Sequence, residues 1–94
     1  MSALFGLEDR VALVTGSSRG IGKALARGLA ESGATVVLNG LNEDRLRAAQ
    51  AELAADFPRG RIQARAFDVT DADSAAEGVA WIEDNSGPLD ILVN

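Results

Sequence analysis

Four short apolar runs, separated by longer stretches of helical period, confine this chain to an alternating α/β fold. The runs are residues 11–14, 35–38, 62–67 (weakly alternating) and 91–93. Between the first two, Ile21, Leu25 and Leu29 recur every four residues. That spacing predicts a helix over 20–32 with those three side chains on one face, and Gly33 is placed to stop it. Asn42 can cap a second helix that carries Leu46, Ala49 and Leu53 on one face. Phe57-Pro58-Arg59-Gly60 then turns the chain. Thr70-Asp71-Ala72-Asp73 reads as the capped start of a third helix, with acids at the positive end of its dipole. Val79 and Ile82, spaced four and then three residues along that helix from Ala75, point inward, and Gly87-Pro88 breaks it.

Uniformly apolar strands joined by helices imply a parallel sheet covered on both faces. Right-handed crossovers leave few ways to wind it, and the doubly wound strand order 3-2-1-4 is the natural one. The first two helices then cover one face and the third covers the other. Strands one and four meet at the topological switch point, and ligands of such sheets bind outside the carboxyl ends of the strands. An apolar fourth strand at an open edge is an aggregation hazard. The expectation is that residues 1–94 are the N-terminal part of a longer single-domain fold.

Composition excludes several function classes. The formal net charge is -5, and no Lys or Arg follows Arg65, so nothing forms a basic stripe for nucleic-acid phosphates. The acids of that half (Asp68, Asp71, Asp73, Glu77, Glu83, Asp84 and Asp90) read as solvated helix faces. Cysteine and histidine are absent, which removes disulfides, thiolate metal sites and the commonest general base. The N-terminus lacks the pattern of a signal peptide, and no apolar run approaches the ~20 residues of a membrane helix. A soluble, cytoplasmic protein without nucleic-acid or membrane partners is the expectation.

The first strand runs into Thr15-Gly16-Ser17-Ser18-Arg19-Gly20-Ile21-Gly22. Glycines at such a point turn the chain sharply, let backbone approach a phosphate and let helix pack close to sheet. The following helix aims free N–H groups and its positive dipole at an anion. The spacing G-x-x-x-G-x-G is neither the usual dinucleotide fingerprint nor a P-loop: a P-loop counted from Gly16 needs glycine at Ile21, and Ala24 follows Lys23 where Ser or Thr would hold magnesium. Taken alone, the loop also suits a tight strand-to-helix turn with no ligand.

It does not stand alone. T-G-S-S-R-G-I-G after an apolar strand resembles the T-G-x-x-x-G-x-G signature of the short-chain dehydrogenase/reductase family. Asp68-Val69 after the third strand resembles that family's adenine-contacting pair. Pro88 to Asn94 resembles the stretch leading into its N-N-A-G motif, of which the first Asn is present. The resemblance covers the whole chain and implies a Rossmann-type fold and an NAD(P)-dependent oxidoreductase acting on a small carbonyl/alcohol substrate. It also implies a homotetramer for the intact protein. The implied cofactor-binding residues are Gly16, Ser17, Ser18, Arg19, Gly20, Ile21 and Gly22 of the loop, with Asn39, Gly40, Asp68, Val69 and Asn94. Backbone from Ser18 to Ile21 would hold the pyrophosphate. Asp68 would accept a hydrogen bond from the adenine amino group, Val69 would lie beside the ring, and Asn94 would sit under the adenosine ribose. Asp68 equally suits a turn ahead of a helix, and Asn94 a strand-end cap.

The second strand should end in an acid on the ribose hydroxyls where NAD is preferred. It ends Leu38-Asn39-Gly40-Leu41-Asn42, so a 2′-phosphate meets no repulsion there. Arg19 lies where NADP-preferring relatives carry a basic residue and can bind that phosphate, or can stay solvated. Leu41 departs from the Arg that several such relatives have, while Asn39 and Asn42 can hydrogen-bond either cofactor. NADP(H) is favoured, with NAD(H) next. The family's catalytic Tyr, Lys, Ser and Asn find no counterpart: there is no tyrosine, and Lys23 stands within the first helix. No catalytic residue is therefore assigned. Two other readings stay open, a nucleotide-sensing module without chemistry and a mononucleotide-binding or purely structural α/β unit.

Overall fold

A computed structural model describes residues 6–18 and 20–94. Its elements follow the expected alternation: β1 (Val11–Val14), α1 (Gly20–Glu31), β2 (Thr35–Gly40), α2 (Glu43–Ala54), β3 (Ile62–Ala66), α3 (Ala72–Ser86) and β4 (Ile91–Val93). The sheet runs β3-β2-β1-β4, and each pairing is parallel. β2 extends two residues past its apolar run, because Asn39 and Gly40 stay in register with Arg65 and Ala66 of β3. Ladder pairing here overrides the low strand propensity of Asn and Gly.

Alternating side chains divide the sheet into two packed layers. Ala12, Val14, Val36 and Leu38 point to the face covered by α1 and α2, where Leu46, Ala49 and Leu53 meet them. Val11, Leu13 and Val37 point to the other face, where Ile82 of α3 and Phe67 close the layer. Leu38, Leu46, Leu53 and Ile82 are fully buried, and burying a side chain of this size contributes about 1.5–3 kcal/mol. The α3 layer is thin because the helix lies directly on an aromatic ring: a Cβ at Gly78 would come within 2.5 Å of the Phe67 ring. Val79, expected to point inward, is half-buried beside buried Gly78.

Helix ends follow the cap chemistry. The Asn42 side chain accepts from Arg45 N at 2.9 Å, and Asp71 accepts from the backbone N–H groups of Asp73 and Ser74. Gly33, Gly60 and Gly87 take positive φ where the chain leaves α1, turns before β3 and leaves α3.

The buried face of α1 differs from the expected one. Ile21 is 81% exposed and Leu25 46%, while Ala26 and Ala30 are buried. The helix approaches the sheet through the small stripe Gly22, Ala26 and Ala30, and Leu29 flanks the core. A small-residue face lets backbone come closer than leucines would, and Gly22 requires it: a Cβ there would lie 2.5 Å from the Gly16 carbonyl oxygen.

Candidate functional site

The carboxyl ends of β1, β2 and β3 open into a cleft of about 390 Å³. Gly16 and Ser18 form one wall, Asn39 to Asn42 with Arg45 a second, and Phe67 to Thr70 a third. The site is built from the loop after β1 upward. Gly16 and Gly20 adopt φ of 59° and 66°, a region costly for residues with a Cβ. Among the described residues beyond the chain neighbours, no atom lies within 4 Å of where a Cβ would stand at either position. Conformation and not crowding therefore demands glycine at both, and the chain after this loop leads into the first N–H groups of α1. Those groups have no intrahelical partner, and the dipole there favours an anion.

Ser17 holds this loop from below. It is fully buried, its hydroxyl donates to Val14 O at 2.6 Å and accepts from Asn39 N at 2.9 Å, and its own N–H donates to Asn39 O at 2.9 Å. Ser17, expected among the cofactor contacts, thus spends its polar groups on fastening the loop to β1 and β2. Asn39 is redirected in the same way. Its side-chain amide donates to Arg65 O and Phe67 O, both at 3.1 Å, which uses both amide hydrogens to tie β2 to β3. Asn39, expected among the cofactor-binding residues, lines the cleft with its two amide hydrogens already given to strand carbonyls.

Asp68 serves the turn and keeps one oxygen for something else. Oδ1 accepts from Thr70 N at 2.9 Å and from Thr70 Oγ1 at 2.6 Å, while Asp68 N donates to Ser74 Oγ. The Thr70 hydroxyl, then the Thr70 N–H, hold the Asp68 carboxyl below the usual carboxylate range. It is therefore ionised at neutral pH, and its Oδ2 accepts no hydrogen bond among the described residues. Val69 beside it is 44% exposed, an apolar surface on the rim.

Asn94 stands at the switch point between β1 and β4. Its Oδ1 accepts from Thr15 Oγ1 at 3.2 Å, and Thr15 N donates to Val93 O at 2.9 Å. The structure thus brings Gly16, Ser18, Asn39, Gly40, Asp68 and Val69 onto one cleft. Gly20, Ile21 and Gly22 open the adjoining helix, and Asn94 lies across β1. Arg19 falls outside the described residues. Gly40 has room for a side chain, since a Cβ would meet Ser18 and Leu46 only at 3.6–3.9 Å.

Sequence reasoning passed over Arg45, Phe67 and Thr70. The signal for Arg45 was its position three residues beyond the Asn42 cap, which puts it in the first turn of α2 beside the end of β2. Among the described residues no cluster of three or more His, Cys, Asp or Glu side chains can hold a metal, and no helix is long and apolar enough to cross a membrane.

A family model for short chain dehydrogenase matches residues 10–94. The chain is 52% identical over 91 residues to gluconate 5-dehydrogenase of Gluconobacter oxydans (strain 621H), covering 97% of this chain and 35% of that protein. It is 43% identical over 88 residues to a 3-oxoacyl-[acyl-carrier-protein] reductase of Vibrio harveyi, covering 94% and 34%. The structure superposes on L-sorbose reductase from Gluconobacter frateurii, solved with NADPH and L-sorbose, with a TM-score of 0.87 and 39% identity over 96% of this chain and 34% of that one. An NADPH-bound short chain oxidoreductase from Pseudomonas aeruginosa PAO1 gives 0.90 and 40% over 96% and 35%. The chain spans about one third of the length of these relatives. A match along almost the whole chain, with the glycine cradle, the Asp68 turn and Asn94 at the ends of three strands, makes the chain a member of the short-chain dehydrogenase family.

Proposed function

We propose that the protein carrying this chain is an NADP(H)-dependent oxidoreductase that interconverts a carbonyl and a secondary alcohol, with gluconate and 5-ketogluconate as the substrate pair. The observation that carries the cofactor part is the end of β2: Asn39, Gly40, Leu41 and Asn42 line the cleft there and none of them is an acid, where an acid would repel a 2′-phosphate. NADPH in the neighbours from Gluconobacter frateurii and Pseudomonas aeruginosa supports the same reading. The residues present fit such a nucleotide, because the loop is open at Gly16 and Gly20 where backbone must meet phosphate. A bound nicotinamide nucleotide supplies the hydride donor or acceptor.

The chain's own residues bind and orient. The N–H groups from Ser18 to Ile21 hold the pyrophosphate. Asp68 Oδ2 accepts from the adenine amino group, Val69 packs on the ring, and Asn94 supports the adenosine ribose. Arg19 pairs with the 2′-phosphate. The identity to gluconate 5-dehydrogenase supports the substrate pair. A second reading, reduction of a 3-oxoacyl thioester, is favoured by the Vibrio harveyi relative.

The test uses the full-length protein. Titration should give tighter binding of NADPH than NADH, and NADPH oxidation should proceed with 5-ketogluconate and not with an acetoacetyl thioester. The reverse preference would transfer the assignment to the second reading. Arg19→Ala should weaken NADPH far more than NADH, and equal loss for both would remove Arg19 from the 2′-phosphate.

A further inference from the structure

We infer that Arg45 is a second cation of the 2′-phosphate site, supplying from α2 the charge that Leu41 does not. The inference rests on the reading of the cleft as an NADP(H) site and goes beyond it by assigning a specificity-determining residue on a different element.

Three observations carry it. The first is position: Arg45 lines the cleft together with Gly40, Leu41 and Asn42, at the end of β2 where the adenosine ribose must lie. Leu41 is 74% exposed there and brings no charge.

The second is that Arg45 is uncommitted. Among the described residues, Arg10, Lys23, Arg27 and Arg47 are paired with carboxylates. Arg61 donates to the Ala34 and Ala30 carbonyls, and Arg65 lies over the Trp81 ring at 5.0 Å. Arg45 has no partner of these kinds among the described residues. Arg59 shares that state, but it sits in the turn before β3, away from the cleft. The one acid on the cleft lining, Asp68, has Oδ1 committed to Thr70.

The third is a local conflict. Arg45 occupies the first turn of α2, where the helix dipole disfavours a cation and favours the neighbouring Glu43 and Asp44. Glu43 does not relieve Arg45, because its carboxylate reaches Arg47 at 3.1 Å. Natural proteins concentrate such uncompensated breaks of a local rule at functional or strained positions. A phosphate in the cleft would meet the guanidinium fork and so would resolve the conflict.

The test is binding, not turnover. Dissociation constants of NADPH, NADH, 2′,5′-ADP and 5′-AMP are measured by titration in the full-length protein and in Arg45→Ala and Arg45→Lys. Arg45→Ala should weaken NADPH and 2′,5′-ADP by about tenfold, the loss of one charge-assisted contact. NADH and 5′-AMP should change less than about twofold, and Arg45→Lys should recover part of the loss. Equal weakening of all four ligands would overturn the inference and place the guanidinium on the adenine ring instead. If the parent protein prefers NADPH and Arg45→Ala changes nothing, the inference alone fails. If the parent binds NADPH no better than NADH, the NADP(H) reading fails, and the role of Arg45 fails with it.

Discussion

The two ends of the sheet use the same residue types in opposite ways. At the amino ends of the strands, charged side chains are spent on holding elements together. Asp90 accepts from Val11 N at 2.9 Å and pairs with Arg10 at 3.6 Å. Arg61 reaches across from the start of β3 to the carbonyls of Ala34 and Ala30, and Arg27 pairs with Asp56 while lying over Phe57. At the carboxyl ends, the glycine cradle is open, Asp68 keeps one oxygen unused and Arg45 has no carboxylate partner among the described residues. The difference teaches where to look for chemistry. An Arg or Asp whose hydrogen bonds are filled by the fold is structural, whereas one left unfilled beside a cleft stays available to water or to a ligand.

The largest effect that would break this contrast is expected from Gly40→Asp. The site has space for the side chain, and a carboxylate there would face the 2′-phosphate at close range. Like-charge juxtaposition of this kind costs several kcal/mol. The ratio of NADPH to NADH affinity should fall by on the order of a hundredfold. An unchanged ratio in paired titrations would mean that the end of β2 does not read the ribose.

Arg61→Ala tests the other end. It removes two charge-assisted hydrogen bonds to carbonyls, so urea unfolding should report a loss of about 1–3 kcal/mol. Affinity for either nucleotide should stay the same. A change in affinity without a change in stability would erase the distinction between the two ends.

Asp68→Asn should give the smallest effect and the sharpest one. The amide keeps an oxygen for the Thr70 contacts but replaces the free oxygen with a donor. Both nucleotides should weaken alike, by about two- to tenfold for one hydrogen bond, with little change in melting temperature. A loss confined to one nucleotide would refute the adenine assignment. The pH dependence follows from the Thr70 contacts, which lower the folded-state pKa of Asp68. A group lowered in the folded state stabilises the fold above its unfolded pKa and loses that contribution as pH falls through the folded one. The turn should therefore hold unchanged through neutral pH and yield only below the usual carboxylate range, visible as an acid-side shift in melting temperature that Asp68→Asn lacks.

Much of this was legible in the residues. The strand runs, the caps at Asn42 and Asp71, and the glycine loop depend on local propensity and spacing, which act within a few residues and survive without tertiary context. The face of α1 was not legible, because Ile21, Leu25 and Leu29 form the stronger apolar stripe. That helix is positioned by how closely Gly22, Ala26 and Ala30 let it approach. The cleft was legible as a set of strand ends, but the share of each residue in it was not.

The sequence by itself determined the order of elements, the parallel winding, the glycine cradle and the missing acid at the end of β2. Tertiary structure alone decided which polar groups remain available. The Ser17 hydroxyl and the Asn39 amide hydrogens look free until β1, β2 and β3 come together and take up their hydrogen bonds. Arg45 looks like an ordinary helix surface residue until the ends of β1 and β3 close a cleft in front of it. The physical reason is that a hydrogen-bonding group is satisfied by whichever partner the fold brings within about 3 Å, and partners from distant segments are set by packing and not by spacing along the chain.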